Sequence, residues 1–414
     1  MDATVIIVFF IVYAGMFLGE IPGLALDRTG IALLGAIAFL ATGHISPQDA
    51  WKAVDVSTMA LLLGLMVISA QFRLGGFYAW ITRRLARFQV YPESLLGMLI
   101  ILAGALSAVL ANDIVCLAMT PVLIEGCARR SLNPVPFLLA LACASNIGSA
   151  ATLIGNPQNM LIGQALDMSF SGYVLDVSIP VLAGLLSVWV VICAHYHNDW
   201  RRVTPVPQLD ASDMNYWQTG KGLLVLSCVV LAFLFLPFPR EIMALAAAAL
   251  LLTSRRMATR QMLGLVDWQL LVLFAGLFIV NKVLATSGTL HYFIAHLAAW
   301  GIHIEEPAWL FGLTLVLSNL VSNVPAVMLL LPAATHHSAG TILALVSTFA
   351  GNLFIVGSIA NIIVVEQARS MQVTISWQDH ARIGIPVTMA SLICAGAWLV
   401  LKFASLNDFY LIFK

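Results

Sequence analysis

Charge is scarce in this sequence. Asp, Glu, Lys and Arg make up 10% of its 414 residues, against about 25% in soluble domains. Apolar side chains make up 61%, and a mean hydropathy of +0.95 leaves no stretch polar enough for a soluble domain. The fold class is an all-α polytopic membrane protein. Basic and acidic side chains cancel, so net charge says nothing about partners and only the placement of charges is informative. The six cysteines sit in apolar stretches without CxxC spacing, as small buried apolar residues do, so no disulfide or structural metal is expected. HExxH, GxSxG and Walker motifs are missing, as is a basic stripe interleaved with aromatics. Hydrolase, nucleotide-driven and nucleic-acid-binding readings therefore have no support, and no cofactor is expected. Met1-Asp2-Ala3 lacks the basic region that precedes a signal-peptide core.

What is present is repetition. Leu106–Pro121 is an apolar stretch with Asn112 and Asp113 in its middle, and Leu317–Pro332 repeats it 211 residues on. Leu106, Ser107, Asn112 and Pro121 fall on Leu317, Ser318, Asn323 and Pro332. Each copy reads as two apolar arms meeting at a polar tip, with neither arm long enough for a hydrocarbon core of ~30 Å. A broken backbone survives in hydrocarbon only where protein covers it or it lines a wet cavity. The pair is therefore predicted to form re-entrant hairpins, over 93–127 and 307–335.

Apolar runs and their breakers place spans near 4–19, 30–43, 57–72 and 175–196, and an amphipathic interfacial stretch over 75–87. A run over 135–166 is interrupted between Asn146 and Pro157. The only sizeable polar linker, 198–219, separates a first repeat, 1–197, from a second, 220–414. There, spans fall near 221–236, 241–253, 267–285 and 383–403, an interfacial stretch over 288–303, and a second interrupted run over 341–368.

Lys and Arg test this count of ten crossings. Fifteen, Arg255 and Arg256 among them, fall on one side, and five (Lys52, Arg240, Lys282, Lys402, Lys414) on the other. That bias makes the first side cytoplasmic and turns both termini outward. Val54-Asp55, Gly64-Leu65 and Gly76 recur 212 residues on at Val266-Asp267, Gly276-Leu277 and Gly288, and Gly155 and Asn159 recur 202 on at Gly357 and Asn361. Equivalent positions lie five crossings apart, so the halves are expected to be an inverted repeat, with two broken helices meeting near the midplane as in secondary transporters.

The breaks and tips supply the candidate site. Asn156-Pro157 reads as an N-cap with proline at the first helical position; Ser358 is the matching cap, and Asn112 and Asn323 are expected to cap the second hairpin arms. Four helix N-termini would then converge, offering partial positive charge and free N–H donors to an anion. The candidate substrate- and ion-binding residues are Asn112, Asp113, Ser322 and Asn323 at the tips. At the breaks they are Asn146, Thr152, Gly155, Asn156 and Asn159, then Asn352, Gly357, Ser358 and Asn361. Asp113 has no acidic counterpart, Val324 taking its place. An acid in hydrocarbon costs about 2.5–3.5 kcal/mol on insertion scales and marks an ion path by default. It can hold sodium near Asn112 and Asn323 or carry a proton; the plainer alternative is a carboxylate that caps its helix. Lys282 reads as a snorkelling lysine, and Glu125 and Glu366 as interfacial.

At these motifs the chain resembles the ion transporter superfamily. Ala111-Asn-Asp-Ile-Val-Cys-Leu-Ala-Met-Thr-Pro121, Ala151-Thr-Leu-Ile-Gly-Asn-Pro-Gln-Asn159, Ser322-Asn-Val-Pro325 and Gly351-Asn352 with Gly357-Ser-Ile-Ala-Asn361 carry the likeness. They are most similar to the branch of arsenite-efflux permeases, NhaD-type sodium–proton antiporters and citrate-transporter-like anion permeases. The resemblance implies a homodimer whose protomers each hold a scaffold and a moving transport domain. Dicarboxylate relatives carry Ser-Asn-Thr tips where this chain has Ala111-Asn112-Asp113 and Ser322-Asn323-Val324, which argues against dicarboxylate specificity. The expected function is proton- or sodium-coupled secondary transport of a small inorganic or organic anion or oxyanion across the bacterial inner membrane, arsenite-type efflux included. The alternatives are a sodium–proton antiporter that moves no anion and, remotely, an intramembrane enzyme.

Overall fold

The computed structural model describes residues 2–19, 26–203, 206, 214–254 and 257–412, with side chains to residue 402. Arg255, Arg256, Lys414 and residues 204, 205 and 207–213 of the 198–219 linker lie outside the described residues.

Helices dominate, and their order in the first half recurs in the second. The first half runs α1 (Ala3–Leu18), α2 (Arg28–Ala41), α3 (Pro47–Ala53), α4 (Val56–Leu74), α5 (Phe77–Ala86), α6 (Pro92–Val109), α7 (Asn112–Arg129), α8 (Pro134–Ser149), α9 (Pro157–Ala165) and α10 (Phe170–Tyr196). The second runs α11 (Tyr216–Phe235), α12 (Arg240–Leu252), α13 (Thr259–Leu263), α14 (Trp268–Thr286), α15 (Thr289–Ala299), α16 (Pro307–Val321), α17 (Asn323–Leu330), α18 (Ala339–Ala350), α19 (Ile359–Ser370) and α20 (Trp377–Ile412). Among the described residues, six helices (α4, α6, α10, α11, α14 and α20) are long and apolar enough to cross a membrane.

Local chemistry sets the boundaries. Asp55 and Asp267 accept from the backbone N–H of Thr58 (3.0 Å) and Leu270 (2.9 Å), capping α4 and α14 at equivalent places. After each of these helices the chain turns through a left-handed glycine, Gly76 (φ 72°) and Gly288 (φ 74°), where a side chain would be strained. Short helices α3 and α13 escaped the sequence reading because neither has an apolar run. The linker also proves shorter: α11 begins at Tyr216, and Leu132 and Arg201 form an isolated antiparallel bridge that ties the linker's start to the α7–α8 turn. The two hairpin arms also end differently. Pro121 is carried inside α7, whereas Pro332 falls in a 3-10 turn, 331–333, that closes the second arm.

The halves pack reciprocally: α2 lies against α14, and α12 against α4. Glycine makes both approaches possible. A Cβ on Gly64 would come within 2.7 Å of the Ala244 backbone, and one on Gly276 within 2.8 Å of the Ala32 backbone. Backbone cannot swing aside as a side chain can, so Gly64→Ala and Gly276→Ala should each cost about 1–3 kcal/mol. Gly312→Ala on α16, where a Cβ meets nothing within 4 Å, should cost nothing. Thermal unfolding of the three purified variants checks this; equal melting temperatures would show that the helices separate freely. At the end of the chain α10 packs on α20, joined by the Lys402–Asp176 ion pair and by Trp398 Nε1 donating to the Asp176 carbonyl (2.8 Å).

Candidate substrate site at four helix starts

The backbone breaks between α8 and α9 and between α18 and α19 because each second helix has its own capping residue. Asn156 Oδ1 accepts from Asn159 N–H (2.9 Å), with Pro157 opening α9. Ser358 Oγ accepts from Ala360 N–H (3.2 Å) and opens α19. Both caps stand as the sequence predicts. The hairpin tips depart from expectation. Asn112 and Asn323 are the first residues of α7 and α17 rather than their caps, and the residues before them, Ala111 and Ser322, make no side-chain cap bond. Placed one position inside, each amide is released from its own helix and points elsewhere. Ser322 adopts φ 77° and ψ 159°, a conformation held almost solely by glycine and costing about 1–3 kcal/mol. Ala111 at the first tip is unstrained.

The four starts converge. One cavity of ≈ 40 Å³ is lined by Asn112 and Asp113 of α7, Asn156 and Pro157 with α9, Asn323 and Val324 of α17, and Ser358 and Ile359 with α19. Asn146 and Ser322 also reach it. Asn323 Oδ1 is buried there with no hydrogen-bond partner. Asp113 is half-buried.

Behind the cavity Asn146 ties the halves together. Its Nδ2 donates to Asn352 Oδ1 (2.8 Å) and Asn361 Oδ1 (3.0 Å), and its Oδ1 accepts from Ser358 Oγ (2.8 Å) and Asn112 Nδ2 (3.4 Å). Three of these four partners belong to the second half, and together they use both donors and both acceptor positions of the amide.

Thr152, Gly155, Asn159, Asn352, Gly357 and Asn361 are not among the residues lining this cavity; they hold the breaks in shape. Asn159 Nδ2 donates back to the carbonyls of Thr152 (3.1 Å) and Ser149 (3.5 Å), seven and ten residues earlier. Asn361 does the same to Phe354 (3.2 Å) and Gly351 (2.8 Å), at the same intervals. Thr152 donates to the Ala108 carbonyl of the first hairpin. A Cβ on Gly155 would sit 2.2 Å from the Ser149 carbonyl oxygen, and one on Gly357 3.1 Å from that of Gly351; the breaks fold back closely enough to require glycine at the first.

Sequence reasoning missed Ser149, Gln158 and Thr348, which line the cavity. Thr348 Oγ1 accepts from Asn156 Nδ2 (3.2 Å) and Gln158 Nε2 (3.3 Å). The spacing of 202 that pairs Gly155 with Gly357 sets Thr348 opposite Asn146, a signal that could have found it. A second acid was missed too. An adjoining cavity of ≈ 70 Å³ is lined by Asp113 and Asp267, with Asn112, Asn156 and apolar residues from α4 and α9.

A family model described as citrate transporter matches residues 7–350. The chain belongs to the citrate transporter family. It is a membrane transporter, in the branch of the ion transporter superfamily that its motifs resemble. Among its relatives, a 46 kDa membrane protein of Mycobacterium leprae is 27% identical over 97% of this chain and 99% of its own. The silicon efflux transporter LSI3 of Oryza sativa subsp. japonica is 28% identical over 89% of this chain and 92% of its own. The fold is similar to that of the YdaH transporter of Alcanivorax borkumensis (TM-score 0.61, 14% identity, 97% of each chain covered).

Proposed function

We propose that this member of the family is a cation-coupled secondary transporter of small anions or oxyanions, with the four-helix cavity as its substrate site. One observation carries the reading: α7, α9, α17 and α19, two from each half, all begin at that cavity. Helix N-termini bring partial positive charge and unpaired N–H groups, and four aimed at one point favour a ligand rich in negative oxygen. The halves act as inverted repeats, the hairpins α6–α7 and α16–α17 as re-entrant pairs, and alternating access exposes the cavity to either face. The protein sits in the bacterial inner membrane with both termini outward. The cavity, ≈ 40 Å³ and ringed mostly by amide, hydroxyl and carboxylate side chains, suits a compact oxyanion or hydroxylated acid better than a tricarboxylate. The printed name of the rice relative, a silicon efflux transporter, supports a small inorganic substrate.

A sodium–proton antiporter is the second reading, favoured by Asp113 and Asp267 lining one cavity. Vesicles containing the purified protein separate the two. Imposed proton or sodium gradients should drive accumulation of an oxyanion such as arsenite or phosphate; sodium-driven proton movement with no anion accumulated would establish the antiporter. In the same assay Asn323→Ala should reduce anion transport at least tenfold while leaving the melting temperature unchanged, because Asn323 Oδ1 has no protein hydrogen bond to lose. Normal transport by this variant would place the substrate elsewhere.

A further inference from the structure

At the far end of α7 from the cavity, α5, α7 and the turn before α6 enclose a second kind of site. A cavity of ≈ 730 Å³ is lined by Arg83, Arg87, Arg129 and Arg130, with Glu125 as its one acidic residue. The arginines are arranged rather than scattered. Glu125, on α7, receives both Nε (3.0 Å) and Nη2 (2.8 Å) of Arg129 and lies 3.6 Å from Arg83 Nε on α5. Arg130 donates to the carbonyls of Phe88 (2.9 Å) and Val90 (2.9 Å), fixing the turn that forms the cavity's rim. The Arg87 side chain has no hydrogen-bond or ion-pair partner among the described residues and stands exposed at the mouth. One carboxylate cannot neutralise four guanidinium groups, so the cavity keeps an excess of positive charge.

Exposed aromatic side chains, Phe88 and Tyr91, stand beside it. An adjoining cavity shares Arg130 and is walled by Tyr91 and Arg201. Tyr91 is 81% exposed, and about two and three turns along α6 come the exposed apolar side chains Met98 and Ile101. Exposed aromatics beside arginines, continuing into exposed aliphatics, are the pattern of a membrane–water boundary. The other half provides an internal comparison. Helix α15, like α5, follows a left-handed glycine, yet Thr289–Ala299 contains neither Arg nor Lys. Among the described residues, α15 therefore offers no counterpart to the arginines that α5 brings to this cavity.

We infer that this cavity binds the phosphodiester of an anionic phospholipid, with the guanidinium groups of Arg83, Arg87 and Arg129 on the phosphate oxygens and an acyl chain along Met98 and Ile101. Guanidinium matches phosphate in geometry and charge, and basic pockets between membrane helices take acidic headgroups. A free phosphate would need only the arginines; the aliphatic track leading away from them is what a lipid uses. The site does not depend on which solute the four-helix cavity carries. It does touch α7, whose other end is Asn112, so the lipid braces the hairpin arm that carries one tip.

The test uses the full-length protein, purified in a neutral detergent and followed by thermal unfolding. A ligand of the native state raises the melting temperature by mass action. Short-chain phosphatidylglycerol should raise it by several degrees, and phosphatidylcholine of the same chain length and inorganic phosphate at the same concentration should not. Arg87→Gln and Arg129→Gln should each remove most of the shift. Arg369→Gln, an equal change of charge at an exposed position near the end of α19, should keep it. The Arg87 side chain has no hydrogen bond or ion pair to lose among the described residues, so its variant should stay folded even where that of Arg129 does not. An equal shift from phosphatidylcholine, or from phosphate alone, overturns the lipid assignment, as does a phosphatidylglycerol shift that survives Arg87→Gln or is lost equally in Arg369→Gln.

Discussion

Asp113→Asn should abolish accumulation driven by a proton or sodium gradient, a loss of at least about a hundredfold, while substrate exchange at equal concentrations survives. The substitution keeps the size of the side chain and alters only its charge and proton chemistry. Asp113 sits at the second position of α7 and touches both the four-helix cavity and the adjoining one, and its side chain has no protein hydrogen bond or ion pair among the described residues. It caps nothing, so the plainer alternative of a purely structural carboxylate finds no bond to support it. Coupling to a cation requires a group whose charge or ligation changes through the cycle; exchange at equilibrium does not. Should Asp113 carry a proton, the wild-type rate titrates with pH and the Asn variant loses that titration. Should it hold sodium, the sodium response weakens and the pH profile stays. Asp267, on the same adjoining cavity, is the natural second variant, because it also caps α14 and its loss should lower stability where that of Asp113 does not. Full gradient-driven accumulation by Asp113→Asn would end both versions.

Asn146→Ala should be the most damaging single change to the site's architecture. The amide holds Asn352, Asn361, Ser358 and Asn112 in one network, and all four partners are buried. Removing it leaves two carbonyl oxygens without donors and a serine hydroxyl without its acceptor. At about 1–3 kcal/mol for each buried group left unpaired, the three together put the expected loss on the order of 3–9 kcal/mol. Transport should fall to background even in preparations cold enough to stay folded, because α8 would no longer register the start of α19. Asn146→Gln offers the same chemistry on a longer arm and should rescue folding only in part. A variant with unchanged melting temperature and transport would mean that the network is incidental.

Much of this was legible from sequence because it is local or repeated. The caps at Asn156 and Ser358 act over two or three residues, and proline at 157 marks the helix start on the spot. The repeated Gly64 and Gly276 stood out as letters; only packing supplied their reason, the close approach of Ala244 and Ala32. What sequence could not give was rotation. Whether Asn112 caps α7 or sits one residue inside it changes the aim of its amide, and a pattern of apolar residues does not resolve one position. For the same reason Asn159 and Asn361, chosen as substrate ligands, turn back onto their own breaks, while Thr348, with no motif of its own, turns into the cavity. Asp267 stands in the sequence only as the repeat of Asp55; that it caps α14 and shares a cavity with Asp113 comes from the structure, the second through contacts between the halves.

Asn159 and Asn361 bear on motion. Unwound stretches in membrane helices are natural places to look for flexing. Here each break is riveted from within: an amide seven and ten residues downstream holds the carbonyls that the missing helical turn set free. Bending either break would strip those carbonyls of their donors where little water can replace them. The two interrupted helices should therefore travel as stiff pieces, each carrying its half of the cavity unchanged. Articulation then falls to the joints outside them, and the turn at Gly288, exposed and with open space where a side chain would stand, leaves the chain room to pivot, whereas its counterpart at Gly76 is buried.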